Sequence, residues 1–368
     1  MFFLFSSFYY FYFSVIGVYI IFLPKVLADV GYGASEIGII LGASPLIRFI
    51  LPFFFFRGLV LSRRLFYVAL GIIVRSASSF YLSLYSFYFL LLSNIFMGVG
   101  LSLTLPYIEN IALQNIGKER YGKVRLFGSI GFIVVALVLV HYLSDVTNAL
   151  HFLLLLACMS VVFAFLVVQK SSFVERDENT PQGDIGVFFQ DYKLWIGLTL
   201  MQVSFGAFYN FFTIYETSHG LTIDTTIYLW SFGVVVEVAM LFFQGRLLRG
   251  NLLHLLEFTT FVTVFRWLLV FGFAENVAVM FVAQSLHALS FALFHSSAIS
   301  YLHHIYKEKA LAQQLFSGIT YGLGGLVGAL VSGYVYEYFP RYLFLSSAFF
   351  ALVSFLFLVM YERGERRV

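Results

Sequence analysis

Stretches of about 20 apolar residues, the length a helix needs to cross the hydrocarbon of a bilayer, recur from one end of this chain to the other. Twelve are found, near residues 4–26, 36–56, 65–85, 87–115, 124–144, 149–169, 192–215, 225–245, 253–273, 276–302, 310–336 and 342–361. Lipid leaves no partner for a bare N–H or C=O, so continuous apolar runs of this length fold as helices. They lack the ten-residue alternation of a membrane barrel strand. Charged residues make up 11% of the chain and hydrophobic ones 61%, against about 25% charged in a soluble domain. The expected fold is an all-α membrane protein of twelve transmembrane helices in two six-helix halves.

The charges follow the loops. Seventeen of the 22 basic residues fall in one alternate set of connections, among them Arg57, Arg63, Arg64, Lys118, Lys170, Arg176, Arg246, Arg249, Lys307, Arg363, Arg366 and Arg367, while the opposite set holds Lys25 and Arg341. The positive-inside rule then places both termini in the cytoplasm. The pI near 8.8 thus reflects membrane topology, and no nucleic-acid partner is expected. The first apolar run lacks a basic n-region and a small-residue cleavage site, and reads as an uncleaved span. The single Cys158 excludes disulfides and a cysteine metal cluster. No GxxxxGK[ST] phosphate loop, HExxH, nucleophile elbow or GxGxxG after a strand is present, so neither an enzyme nor a cofactor is expected. The driving force is expected to be a proton gradient.

The longest polar connection, 169–184, divides six spans from six. It sets expected units of 1–170 and 192–368 joined by a cytoplasmic linker, 171–191. LFGSIG at 126–131 is similar to LFSGIT at 315–320, in the fifth and eleventh spans. This fits two related halves with a substrate site between them. The small-residue run 320–333 also has a simpler explanation, close helix packing.

Ionisable residues inside spans are costly and mark cavities or transport paths. An antiparallel helical hairpin puts residues equidistant from its turn at equal depth. Glu109 and Arg125 are each eight residues from Gly117 and are expected to pair. Arg48 and Arg75 are centred on Leu61 and Ser62, Glu237 and Arg266 on Asn251 and Leu252, and Arg266 and His287 on Asn276 and Val277. Five ionisable residues therefore converge on mid-membrane. Arginines outnumber acids there, and a surplus of guanidinium favours an anionic ligand held bidentately. His295 lies on the face of His287, while Gln202, Asn210 and Gln284 offer neutral hydrogen bonds. Structural pairing of Glu237 with Arg266, and arginines bonded to carbonyls, is the competing explanation.

PYIE at 106–109 followed by YGKVRLFGSIGF at 121–132, with SEIGIILGASPLIRFILP in the second span and FSGITYGLGGLVGALVSGYVYE near the end, resembles the lactose permease branch of the major facilitator superfamily. Within it the phenylpropionate permease group is the most similar. The resemblance implies that Glu109 and Arg125 bind substrate with Ser129 and Phe132, and that Glu237, Arg266 and His287 join binding to proton movement. The sequence departs from the pattern at Ser290, where a coupling carboxylate is expected, and in RGLVLSRR at 57–64, which lacks the usual Asp.

The expected function is secondary transport of a small organic, aromatic carboxylate with protons across the inner membrane, by a monomer. Arg125 with Arg48 or Arg75 would hold the carboxylate, and Glu237, ahead of His287, would carry the proton. A neutral sugar or nucleoside substrate, or a non-transporting sensor of the same fold, are the alternatives.

Overall fold

The computed structural model describes residues 1–56, 59–142, 146–171 and 186–365. The bundle helices are α1 (Phe2–Val30), α2 (Ala34–Phe55), α3 (Arg63–Ser83), α4 (Phe87–Gly117), α5 (Arg120–Tyr142) and α6 (Thr147–Lys170). After these come α7 (Tyr192–Ser204 and Gly206–Ser218), α8 (Ile223–Arg249), α9 (Leu252–Phe273), α10 (Val277–Ile305), α11 (Lys309–Tyr338) and α12 (Pro340–Gly364). Eleven are long and apolar enough to cross a membrane. The remaining one, α7, is broken at Phe205 where the sequence reads as a continuous run. The architecture is an all-helical bundle of twelve helices in two halves.

The turns sit where the charge symmetry centres them. Gly117 takes φ 72°, a left-handed backbone that a side chain disfavours, and it folds α4 back into α5. Ser62 caps α3 by accepting from Leu65 N. Asn251 caps α9 by accepting from Leu253 N and His254 N, and Asn276 caps α10 through Val279 N. Each cap supplies an acceptor to helix-end amides that have none within the helix. Three π-helical segments interrupt the ladder, at Val18–Phe22 in α1, Ala288–Leu293 in α10 and Phe316–Leu323 in α11. Such segments gather at functional sites.

The halves meet chiefly where α1 packs on α7, α2 on α11, and α5 on α8. Lipid tails are as apolar as leucine, so association rests on close packing. A Cβ on Gly38 of α2 would stand 2.6 Å from the Ala329 carbonyl oxygen of α11, so glycine is what lets these backbones touch. The run 320–333 does this packing: Gly322 lies against Phe49, Gly325 against Pro45 and Gly333 against Gly38. Glu337, at the end of α11, accepts from Ser35 N at the start of α2 at 2.7 Å.

Arg63 and Arg64 at the start of α3, Lys170 at the end of α6, Arg246 and Arg249 at the end of α8, Lys309 at the start of α11 and Arg363 at the end of α12 all lie at one end of the bundle. Lys25 and Arg341 lie at the other. Arg57, Arg176, Arg366, Arg367 and most of the 171–191 linker fall outside the described residues. Where the chain resumes, Phe188 packs on Trp195 and Tyr306. Tyr306 donates to Asp191 Oδ2 at 2.6 Å, tying this segment to the second half.

Candidate functional site

The α4–α5 hairpin brings Glu109 and Arg125 together. Arg125 Nη1 donates to Glu109 Oε1 at 2.9 Å, and Tyr121, one turn before Arg125, donates to the same oxygen at 2.8 Å. The guanidinium lies 5.0 Å from the ring centre of Phe13 and 5.9 Å from that of Tyr9, both on α1. With 40% of the Arg125 side chain and 29% of Glu109 exposed, the pair is not sealed, and the cation keeps donors for a further ligand. Ser129 follows one turn on and is half-buried. Phe132 is buried with its ring 6.4 Å from Trp230 of α8, so this wall of the site crosses between halves.

The second half holds a different arrangement. Arg266 of α9 is fully buried, and its Nη1 donates to His287 Nδ1 at 2.9 Å and to Ser290 Oγ at 3.0 Å. Nη2 donates to Gln284 Oε1 at 3.1 Å. Phe208 and Trp267 present ring centres 4.5 and 4.4 Å from the guanidinium, and cation–π attraction strengthens when the cation is desolvated. A guanidinium has no acceptor, so Nδ1 of His287 must accept and the neutral ring carries its proton on Nε2. That nitrogen faces Glu237 Oε2 of α8 at 3.4 Å.

His287 therefore stands between Glu237 and Arg266, which the hairpin symmetry pairs directly. Equal depth is right and the contact is not, because the imidazole of α10 occupies the space between them. Ser290, inside the π-helical segment of α10, bonds Arg266 from the position where the resemblance calls for a carboxylate. Among the described residues Arg266 makes no ion pair with an acid, and Glu237 is linked to it through the imidazole.

Arg48 of α2 is exposed, and its charge is felt at Tyr12, Tyr209 and Tyr321. His295 interacts electrostatically with both Arg125 and Glu237, and its Nδ1 lies 2.6 Å from the Tyr321 hydroxyl. His295 is thus coupled electrostatically to both charge clusters, each of which belongs to one half.

Arg75 is not brought there. The packed face of α3 is Phe66, Ala69, Leu70, Ile73, Ala77 and Phe80, and Arg75 lies on the opposite side with exposed Val68 and Leu82. Hairpin symmetry sets depth but not which way a residue faces, so the grouping of five reduces to Arg48, Glu237, Arg266 and His287, joined by Glu109 and Arg125. Among aromatics the sequence singles out Phe132 alone, and it misses Tyr121, although its i, i+4 spacing to Arg125 was the available signal. Tyr209 and Tyr321 carry no such signal.

The model of the MFS_1 like family matches residues 2–346. The "Probable 3-phenylpropionic acid transporter" of Escherichia coli (strain K12) is 25% identical over 358 residues, covering 94% of this chain and 93% of that protein. Among solved structures, one of the nucleoside transporter NupG superposes with a TM-score of 0.82 at 16% identity, covering 98% of this chain and 99% of that one. The D-xylose-proton symporter superposes with a TM-score of 0.71 at 13% identity, covering 96% of each. With nearly its whole length accounted for in this way, the chain belongs to the MFS_1 like family and is a multi-pass membrane transporter of the major facilitator superfamily.

Proposed function

We propose that the chain is a proton-coupled symporter of a small organic acid, an aromatic or aryl-alkyl carboxylate, working as a monomer in the inner membrane with both termini in the cytoplasm. The observation that carries this reading is the half-exposed Arg125 guanidinium, oriented by Glu109 and flanked by the rings of Phe13 and Tyr9. It offers a fork for a carboxylate beside apolar faces for a ring. Arg48 adds positive charge to the same space, and the 3-phenylpropionic acid named for the Escherichia coli relative has both the carboxylate and the ring.

In this mechanism the carboxylate docks on Arg125, with Ser129 beside it and its ring toward Phe132. Glu109 and Tyr121 keep the guanidinium in place. Glu237 takes the proton: with Nδ1 of His287 already accepting from Arg266, protonating the imidazole would break that bond, whereas Glu237 is half-buried and free to gain one. Neutralising Glu237 removes the counter-charge of Arg266, making the cavity more positive and a carboxylate more welcome. By linkage the bound carboxylate favours the proton equally. The loaded pair is electroneutral, and the halves then rock about the site.

The test is uptake of 3-phenylpropionate into proteoliposomes with and without an inward proton gradient, beside Arg125→Ala. Gradient-driven accumulation lost in the variant is expected. Accumulation that survives Arg125→Ala overturns the binding assignment, and no accumulation with either protein overturns the substrate class.

A further inference from the structure

Two cavities meet on the flank of the first half, between α3 and α6. One, of about 360 Å³, is an apolar groove walled by Leu70 and Gly71 of α3 and by Val161, Val162, Phe165 and Leu166 of α6. The other, of about 530 Å³, lies at the basic end of the bundle and is walled by Ser62, Arg63, Arg64, Tyr107 and Ser171. Tyr67 belongs to both walls, so the two adjoin there and together mark out a track.

The chemistry changes in order along that track. Gly71 lies two turns into α3 from the arginines, about 11 Å at the rise of a helix. A Cβ built there would meet nothing within 4 Å, so the groove is open where a side chain would otherwise fill it. Tyr67 stands at the junction, its hydroxyl accepting from Arg63 Nε at 3.1 Å and from Gln169 Nε2 at 3.3 Å. Arg63 lies 5.6 Å from its ring centre. Tyrosine suits the boundary between hydrocarbon and headgroup. Beyond it come Arg63, Arg64 and the hydroxyls of Ser62 and Ser171, and the start of the 21-residue α3 turns its positive end toward the same cavity. No carboxylate is among the described residues lining either cavity.

We infer that this track binds one anionic phospholipid. Its phosphate rests against Arg63, Arg64 and the α3 N-terminus, and one acyl chain lies in the groove past Gly71. A zwitterionic headgroup is disfavoured because none of the described residues lining the cavity is an acid that would meet its ammonium. The site is separate from Arg125, which faces the interior between α4, α5 and α1, so the inference does not depend on the transported substrate.

The experiment is native mass spectrometry of the full chain, delipidated in detergent and titrated in separate arms with phosphatidylglycerol, with phosphatidylcholine of the same acyl chains, and with inorganic phosphate. Phosphatidylglycerol is expected to bind about tenfold more tightly than phosphatidylcholine. Gly71→Leu, which fills the groove, and the double change Arg63→Ala with Arg64→Ala should each weaken it by about tenfold. Phosphate binding should fall with the arginine change only. Equal binding of the two lipids, or arginine variants that bind phosphatidylglycerol as before, overturns the inference. A Gly71→Leu protein that still binds it normally reduces the feature to a phosphate site and also overturns the lipid assignment. Should the double variant fail to fold, Arg64→Gln with Gly71→Leu decides the question by the same criteria.

Discussion

Arg266 donates to Nδ1 of His287 at 2.9 Å, which leaves the imidazole only Nε2 for its own proton and directs that proton toward Glu237. This one bond ranks the two candidate proton carriers. Glu237→Gln, a fixed mimic of the protonated acid, is expected to keep substrate binding and substrate exchange while losing accumulation driven by a proton gradient. Counterflow and gradient-driven uptake measured on the same vesicles separate the two. If the variant still accumulates substrate in response to pH, Glu237 is not the carrier.

Arg125→Lys keeps the charge and removes the planar fork. A charge-assisted hydrogen bond is worth about 1.5 to 3 kcal/mol, so substrate affinity should fall by about 10- to 150-fold, well beyond what a retained charge alone would predict. Isothermal titration in detergent reads this directly. Lysine binding as tightly as arginine would mean that the carboxylate is recognised as a point charge or elsewhere.

Ser290→Asp would set a carboxylate against Arg266 in place of the present hydroxyl contact. The guanidinium would then have a permanent counter-ion and would respond less to protonation of Glu237. The expected result is weaker binding of an organic acid at any pH and a shallower dependence of uptake on the gradient. Unchanged affinity would show that the field of Arg266 does not reach the substrate.

Gly38→Leu tests the contact between halves. Its side chain has no room against the Ala329 carbonyl, and overpacking of this kind costs about 1 to 3 kcal/mol, so the unfolding midpoint should drop and transport should slow. Gly272→Ala on α9 is the control, because nothing lies within 4 Å of a Cβ there and helix propensity favours alanine. Equal midpoints for the two variants would remove the close approach of α2 and α11 as a stabilising feature.

Much of the fold is legible because a bilayer imposes length and internal hydrogen bonding on every span. The turn at Gly117 and the caps at Ser62, Asn251 and Asn276 stand at the centres of symmetry of the charges placed within the spans, so depth could be read by counting. Direction could not. Arg75 has the right depth and the wrong face, because the rotation of α3 is set by Phe66, Ile73 and Phe80 packing on their neighbours. The insertion of His287 between Glu237 and Arg266 depends on three helices at once, which pairwise counting does not capture. Tyr121 was hidden by abundance: among 24 tyrosines and 47 phenylalanines, one at hydrogen-bonding distance from an acid has no distinguishing mark in the sequence beyond its spacing.

Glu109 and Arg125 sit on the two limbs of one hairpin, and Glu237, His287 and Arg266 sit together in the other half. Neither cluster is shared, so a swing of one half against the other ruptures none of these contacts. Among the described residues, one contact that such a swing would part at this level is that of the Phe132 ring with Trp230. The share of a turnover barrier that this contact would contribute is the wetting and drying of aromatic surface, and that share should vary little with ionic strength and steeply with temperature.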